Sequence, residues 1–126
     1  MKILAISPTF NESENISQHI ENIFSLDVKI DLLVVDDSSP DGTSEIVKEK
    51  QIGNKGLYLL ERSSKQGLGT AYIAGFDWAV KNNYDAIIQI DADLSHDPKD
   101  ITSMVQLLDE NDMVIGSRYV NGVNVV

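Results

Sequence analysis

Asp91 and Asp93 stand one residue apart at the end of an apolar run, IIQIDADLSHDP, residues 87–98. On an extended chain, side chains two residues apart share a face, with Cα atoms roughly 6.5 Å apart. Two carboxylates so placed repel, which raises one pKa unless a cation or hydrogen-bond donors compensate. A hard divalent ion, Mg2+ or Mn2+, suits such a pair, because it accepts carboxylate, water and phosphate oxygens together. With so few protein ligands, the ion would need a diphosphate to complete its shell. The competing reading leaves both acids in solvent at a strand end. Asp97, directly before Pro98, reads as a helix cap. His96 reads as a surface or supporting group. Zinc is disfavoured, since the two histidines are far apart in sequence and no cysteine is present.

Other polar clusters follow apolar runs. In VVDDSSPDGT, Asp36 and Asp37 alternate across a strand end, so they cannot both face one pocket. One of them can accept from a nucleobase or ribose while the other satisfies turn amides through an Asx-type bond; a plain turn role is equally open. Glu12 is either a pocket residue or a first-turn acid opposite a helix dipole. In RSSKQGLGTAY, Gly67 and Gly69 would let the backbone approach an anion, and Lys65 adds charge. This is neither a Walker loop nor a dinucleotide fingerprint. Gly69 is equally readable as a tight turn. Arg118, one of only two arginines, can bridge phosphate oxygens bidentately or pair with a surface acid.

The elements that must hold these residues alternate. Apolar strands are expected at residues 2–7, 30–37, 57–61, 84–90 and 112–117. The helix between the first two is predicted to be capped by Asn11, with Glu14 completing a capping box, and to bury Ile16, Ile20, Ile23 and Phe24. The second helix is predicted to start at Ser39-Pro40, with Asp41 in its first turn. A third spans residues 68–81, with small residues at 71, 74, 75 and 79 for close approach to a sheet. A fourth starts at Asp97-Pro98. The rhythm predicts an α/β fold, a mostly parallel sheet with helices on both faces, in one domain over residues 1–126. Ligands in such folds bind beyond the C-terminal strand ends, where the polar clusters lie.

Composition narrows the function. The net charge of −10, from 20 acidic against 10 basic residues, argues against nucleic-acid binding and against attachment to membranes through basic patches. The absence of cysteine fits a reducing, cytoplasmic setting. MKILAI is too short for a signal peptide, and no apolar window is long enough to span a bilayer. The final GSRYVNGVNVV reads as a strand exit and loop without a closing helix, so the chain is expected to be the N-terminal part of a longer catalytic domain.

PTFNE, VVDDSSPDGT, KQGLGTAYIAGF, IIQIDADLSHDP and VIGSRY, in this order, resemble the family 2 glycosyltransferases of the A-type, Rossmann-like fold. Within them the chain is most similar to the polyprenol-phosphate (dolichyl-phosphate) mannosyltransferases, over nearly its whole length. The resemblance implies a nucleotide-sugar donor, GDP-mannose above all, a polyprenyl or dolichyl phosphate acceptor, and Mg2+ or Mn2+ under the diphosphate. It implies Asp93 as direct metal ligand, with Asp91 on the ribose or metal side. It also implies Pro8, Glu12 and Asp36 as walls of the nucleoside pocket, Asp37 as support for the adjoining turn, and Arg118 near the reacting phosphates. Phe10 keeps the ring of the family's commoner tyrosine but lacks its hydroxyl.

A phosphate monoester acceptor is already anionic near neutral pH, its second pKa being about 6. It can attack the sugar's C1 without a general base, and one in-line displacement with inversion follows. Two alternatives stay open: a UDP-glucose-dependent transfer to the same lipid, and a nucleotide-sugar-binding module without turnover. Membrane association is expected of the full-length protein, not of these residues.

Overall fold

A computed structural model describes residues 2–64, 67–107, 113–116 and 123–125. The chain runs β1 (Ile3–Thr9), α1 (Ile16–Phe24), β2 (Asp31–Asp36), α2 (Thr43–Gln51), β3 (Leu57–Glu61), α3 (Leu68–Lys81), β4 (Ala86–Gln89), α4 (Pro98–Leu107), β5 (Met113–Gly116) and β6 (Val123–Val125). The strands form one sheet in the order β3-β2-β1-β4-β5-β6. The first five are parallel, and β6 lies antiparallel to β5. The parallel α/β architecture is as expected; β6 falls in the segment read as loop. No helix among the described residues is long and apolar enough to cross a membrane.

Helices cover both faces of the sheet. On one, Ile16, Ile20 and Ile23 of α1, Val47 of α2, and Ile101 and Met104 of α4 pack with Ala5, Leu32, Val34 and Ile88. Each large aliphatic side chain so buried is worth about 1.5–3 kcal/mol. On the other face, Leu4, Ile6, Leu33 and Val35 meet Ala71 and Ala79 of α3. Small residues bring α3 close: a Cβ at Gly75 would lie 2.7 Å from Ile6 Cγ2. This tight seat fixes where the first turns of α3 emerge at the C-terminal edge of the sheet.

Two predicted helix starts are corrected. Asn11 does not cap α1; it sits at φ 57°, and the helix begins at Ile16 with no side-chain cap bond at Asn15. The amides of Asn11, Glu12 and Ser13 instead donate to Ser39 Oγ (2.9 Å), Thr43 Oγ1 (3.1 Å) and Asp41 Oδ2 (3.0 Å). Bonds to the neighbouring loop have replaced the local capping box. Ser39-Pro40 likewise does not open α2, because the Ser39 hydroxyl is drawn to Asp36 at 2.6 Å. The helix starts at Thr43, whose N–H donates to Asp41 Oδ1 at 3.1 Å. Hydrogen bonds from Thr43 and Ser13 outweigh the upward pull of desolvation and hold Asp41 down at about 2. The Asp97 cap is as predicted, accepting from the Lys99 N–H at 2.8 Å.

Candidate functional site

β1 is paired with β4 only as far as Ile6 opposite Gln89, while its pairing with β2 runs on to Thr9 opposite Asp36. Pro8, which has no N–H to give, lies beyond the end of the β1–β4 ladder. The two strands part there, at the point where chain order reverses across the sheet, and a cleft of about 310 Å³ opens. Pro8, Phe10 and Glu12 line it from the β1 exit, Asp37 from the β2 exit, and Asp91 and Asp93 from the β4 exit. Gly67 and Leu68, at the start of α3, complete the wall.

β4 spans Ala86–Gln89, shorter than the strand expected over residues 84–90, and the acidic pair lies on the loop beyond it. Ala92 is buried and packs with the core, and Asp91 and Asp93 flank it at the cleft, whose floor it also lines. Tyr72 of α3 donates its hydroxyl to Asp91 Oδ1 at 3.1 Å. Burial foremost, then the charges of Asp91 and Asp93, push the Tyr72 phenol well above its ordinary value, so it remains a donor. Asp93 Oδ1 accepts from the Ser95 N–H at 3.0 Å. Leu94 between them has φ 63°, a backbone region that a bulky side chain adopts at a cost of about 1–2 kcal/mol.

Oxygen donors from two carboxylates facing one cleft fit a hard divalent ion. Among the described residues no group of three His, Cys, Asp or Glu side chains forms a cage. An ion held by Asp91 and Asp93 therefore needs oxygens from elsewhere, as the sequence reading required.

The two aspartates at the end of β2, Asp36 as its last residue and Asp37 just beyond it, exchange the places that the resemblance implied. Asp36 is fully buried and accepts from Thr9 Oγ1 (2.6 Å), Ser39 Oγ (2.6 Å), Ser39 N (3.0 Å) and Ser44 Oγ (3.0 Å). Asp36 supports the turn, and Asp37 faces the cleft. Alternation across the strand end does separate them, with the opposite assignment. Gly69 lies within the first turn of α3 and is not among the residues lining the cleft, where Gly67 takes both the contact and the positive φ of 99°. Lys65 and Arg118 lie outside the described residues.

Sequence reasoning passed over Arg62, Tyr72 and His19. Arg62 binds both oxygens of Asp37, at 2.6 and 2.7 Å. Its guanidinium is held charged more firmly than usual, chiefly by those hydrogen bonds. The signal available was a basic residue at the exit of β3, beside the acidic exit of β2. His19 faces inward from α1, with Nε2 2.8 Å from Ser7 Oγ. His96, on the acidic loop, has a buried Nε2 with no partner among the described residues.

Burial, reinforced by His96 and opposed by Asp93, lowers His19 to about 4. The unfolded chain, with the usual value of 6.5, therefore binds a proton between pH 6.5 and 4 that the folded chain refuses. This group's contribution to stability is present at neutral pH and lost as pH falls through that window. Urea unfolding at pH 7 and pH 5 is expected to show about 2 kcal/mol lost through this residue. His19→Gln should remove that share of the pH dependence; an unchanged dependence would refute the assignment.

Comparison with known proteins gives this geometry a context. A glycosyl transferase family 2 model matches residues 5–126. An undecaprenyl-phosphate mannosyltransferase from Micrococcus luteus is 39% identical over 100% of this chain and 52% of its own length. A polyprenol monophosphomannose synthase from Mycolicibacterium smegmatis is 39% identical over 96% of this chain and 46% of its own. The chain thus spans about half the length of these relatives. A mannosyltransferase from Pyrobaculum calidifontis, solved with GDP-Man and Mn2+, superposes with a TM-score of 0.76 at 25% identity, covering 86% of this chain and 32% of the other.

Proposed function

The chain belongs to glycosyl transferase family 2, and on that premise we propose that its cleft binds a nucleotide sugar through a divalent cation, for transfer of mannose from GDP-mannose to a polyprenyl phosphate. The observation that carries this reading is the meeting of Asp91 and Asp93 with Pro8, Phe10, Glu12 and Asp37 around one cleft at the switch point of the sheet. The names of the two 39% identical relatives, one an undecaprenyl-phosphate and one a polyprenol enzyme, support the acceptor class.

In this reading Asp91 and Asp93 would hold Mg2+ or Mn2+, and Tyr72, donating to Asp91 at 3.1 Å, sets the aim of that carboxylate. The cation, when bound, offsets the charge of the departing diphosphate. Phe10, half-open at the cleft lip, offers its ring face to the base, and Asp37 accepts from the base or ribose. Glu12 is steadied by the Asn15 side-chain amide at 3.1 Å and stands beside them. The acceptor's phosphate oxygen forms the new bond to C1 of mannose as the bond from C1 to the GDP oxygen breaks, so the sugar inverts. No base is required, since the attacking oxygen is already anionic. Arg118 keeps the role of steering that phosphate which the resemblance implies.

The decisive measurement is a thermal-shift panel of GDP-mannose and UDP-glucose, each with and without Mn2+. GDP-mannose at a hundredfold excess over its Kd should raise Tm by on the order of 10 °C, and only with the metal. A shift with UDP-glucose alone would transfer the donor to the uridine series. The absence of any metal-dependent shift would refute the reading.

A further inference from the structure

We propose that Arg62 is the positioning residue of the nucleoside side of the cleft, holding Asp37 and the start of α3 in one fixed arrangement. The inference rests on the nucleotide-sugar reading above. Nε and Nη2 of Arg62 take the two oxygens of Asp37 at 2.6 and 2.7 Å. The same guanidinium donates from Nη1 to Thr70 Oγ1 at 3.0 Å and from Nη2 to the Gly67 carbonyl at 3.3 Å. Its backbone joins in, with N–H donating to the Asp36 carbonyl at 2.8 Å and the carbonyl accepting from Ser38 Oγ at 2.5 Å. One residue therefore ties together the β2 exit, the β3 exit and the first turn of α3.

The tie is placed at the wall of the cleft. Asp37 and Gly67 line the cleft, and the Arg62 and Asp37 side chains are only 11% and 7% exposed. A buried ion pair adds little net stability compared with an apolar pair of the same shape, because both charges lose their hydration. Its distinctive product is geometry. With the fork on Asp37, the direction in which that carboxylate meets a ligand is set by Arg62, as is the position of the glycine backbone. Lysine cannot substitute: it brings a point charge, whereas contact with a carboxylate, a carbonyl and a hydroxyl together needs the planar fork. Asp91 and Asp93 take Tyr72 and the Ser95 amide, and the part of α3 that carries Tyr72 is seated by Gly75 against Ile6, so the metal side should depend on Arg62 much less than the nucleoside side does.

Calorimetric titration of the wild type, Arg62→Lys and Arg62→Met with GDP plus Mn2+, and with pyrophosphate plus Mn2+, separates the possibilities. Both variants should weaken GDP binding about tenfold or more, with lysine failing to rescue, while pyrophosphate binding stays within about twofold of wild type. Equal GDP affinity in wild type and variants would overturn the positioning role and leave the nucleotide reading standing. A parallel loss of both ligands would overturn it too, marking Arg62 as a general structural residue. A wild type that binds neither ligand would bring down the nucleotide-sugar reading itself, and this inference with it. Should Arg62→Met fail to fold, Thr70→Val carries the test by removing the hydroxyl that takes Arg62 Nη1 at 3.0 Å and that itself donates to the Gly67 carbonyl at 2.9 Å. It should weaken GDP about threefold and leave pyrophosphate unchanged; unaltered GDP affinity there would be equally fatal.

Discussion

Asp93→Ala is expected to abolish metal-dependent binding of the donor while leaving the chain folded. The side chain lies past the end of β4 at the cleft and accepts from the nearby Ser95 amide. Asp93 is not one of the buried residues of the core, so unfolding free energy should change by no more than about 1 kcal/mol. Binding is another matter. Removing an outer partner of a metal ligand commonly costs 10- to 100-fold, and loss of one of only two carboxylate ligands should cost more than about 100-fold. Titration with GDP-mannose in the presence and absence of Mn2+ reads the effect directly. If the variant binds the donor as tightly as wild type with metal present, the ion is not held where the acidic pair stands.

Asp36→Ala should do the reverse and damage the fold first. The carboxylate accepts four hydrogen bonds, as many as its two oxygens take, and it is fully buried. Its donors come from β1 (Thr9), the β2–α2 turn (Ser39) and α2 (Ser44). Truncation leaves several buried donors without an acceptor, each costing about 1–3 kcal/mol where water cannot reach it. A loss of about 3–5 kcal/mol in urea unfolding is expected. That is a large share of the roughly 5–15 kcal/mol that holds a typical domain together. A variant within about 1 kcal/mol of wild type would mean that the hydroxyls turn to water and that the network is incidental.

The contrast between these two aspartates marks how far the sequence could be read. The alternating apolar runs located every parallel strand, because burial on both faces leaves continuous Leu-Val-Ile stretches. The face of α3 carrying Ala71, Gly75 and Ala79 was legible for the same reason, as was the acidic pair. The exchange between Asp36 and Asp37 was not, since a one-residue alternation says that they diverge and not which one turns inward. That choice is made by Thr9, Ser39 and Ser44 gathering on one side, and by Arg62 waiting on the other. The helix starts failed for a related reason. Asn11 and Ser39 have good local capping chemistry, yet each was claimed by the neighbouring loop. Local preferences worth about 1 kcal/mol give way where a tertiary network offers several bonds together.

The strand order carries a kinetic implication. The β1–β2–β3 pairs close between neighbours in sequence, whereas β1 meets β4 only after Lys2 and Asp85, 83 residues apart, come together. Closing so long a loop is entropically slow compared with local pairing. The half of the sheet bearing Asp36 and Asp37 closes through short connections, whereas β4 must wait for the long one. The gap between β1 and β4 takes shape only when that late partner arrives, so ligand competence is among the last properties the folding chain acquires.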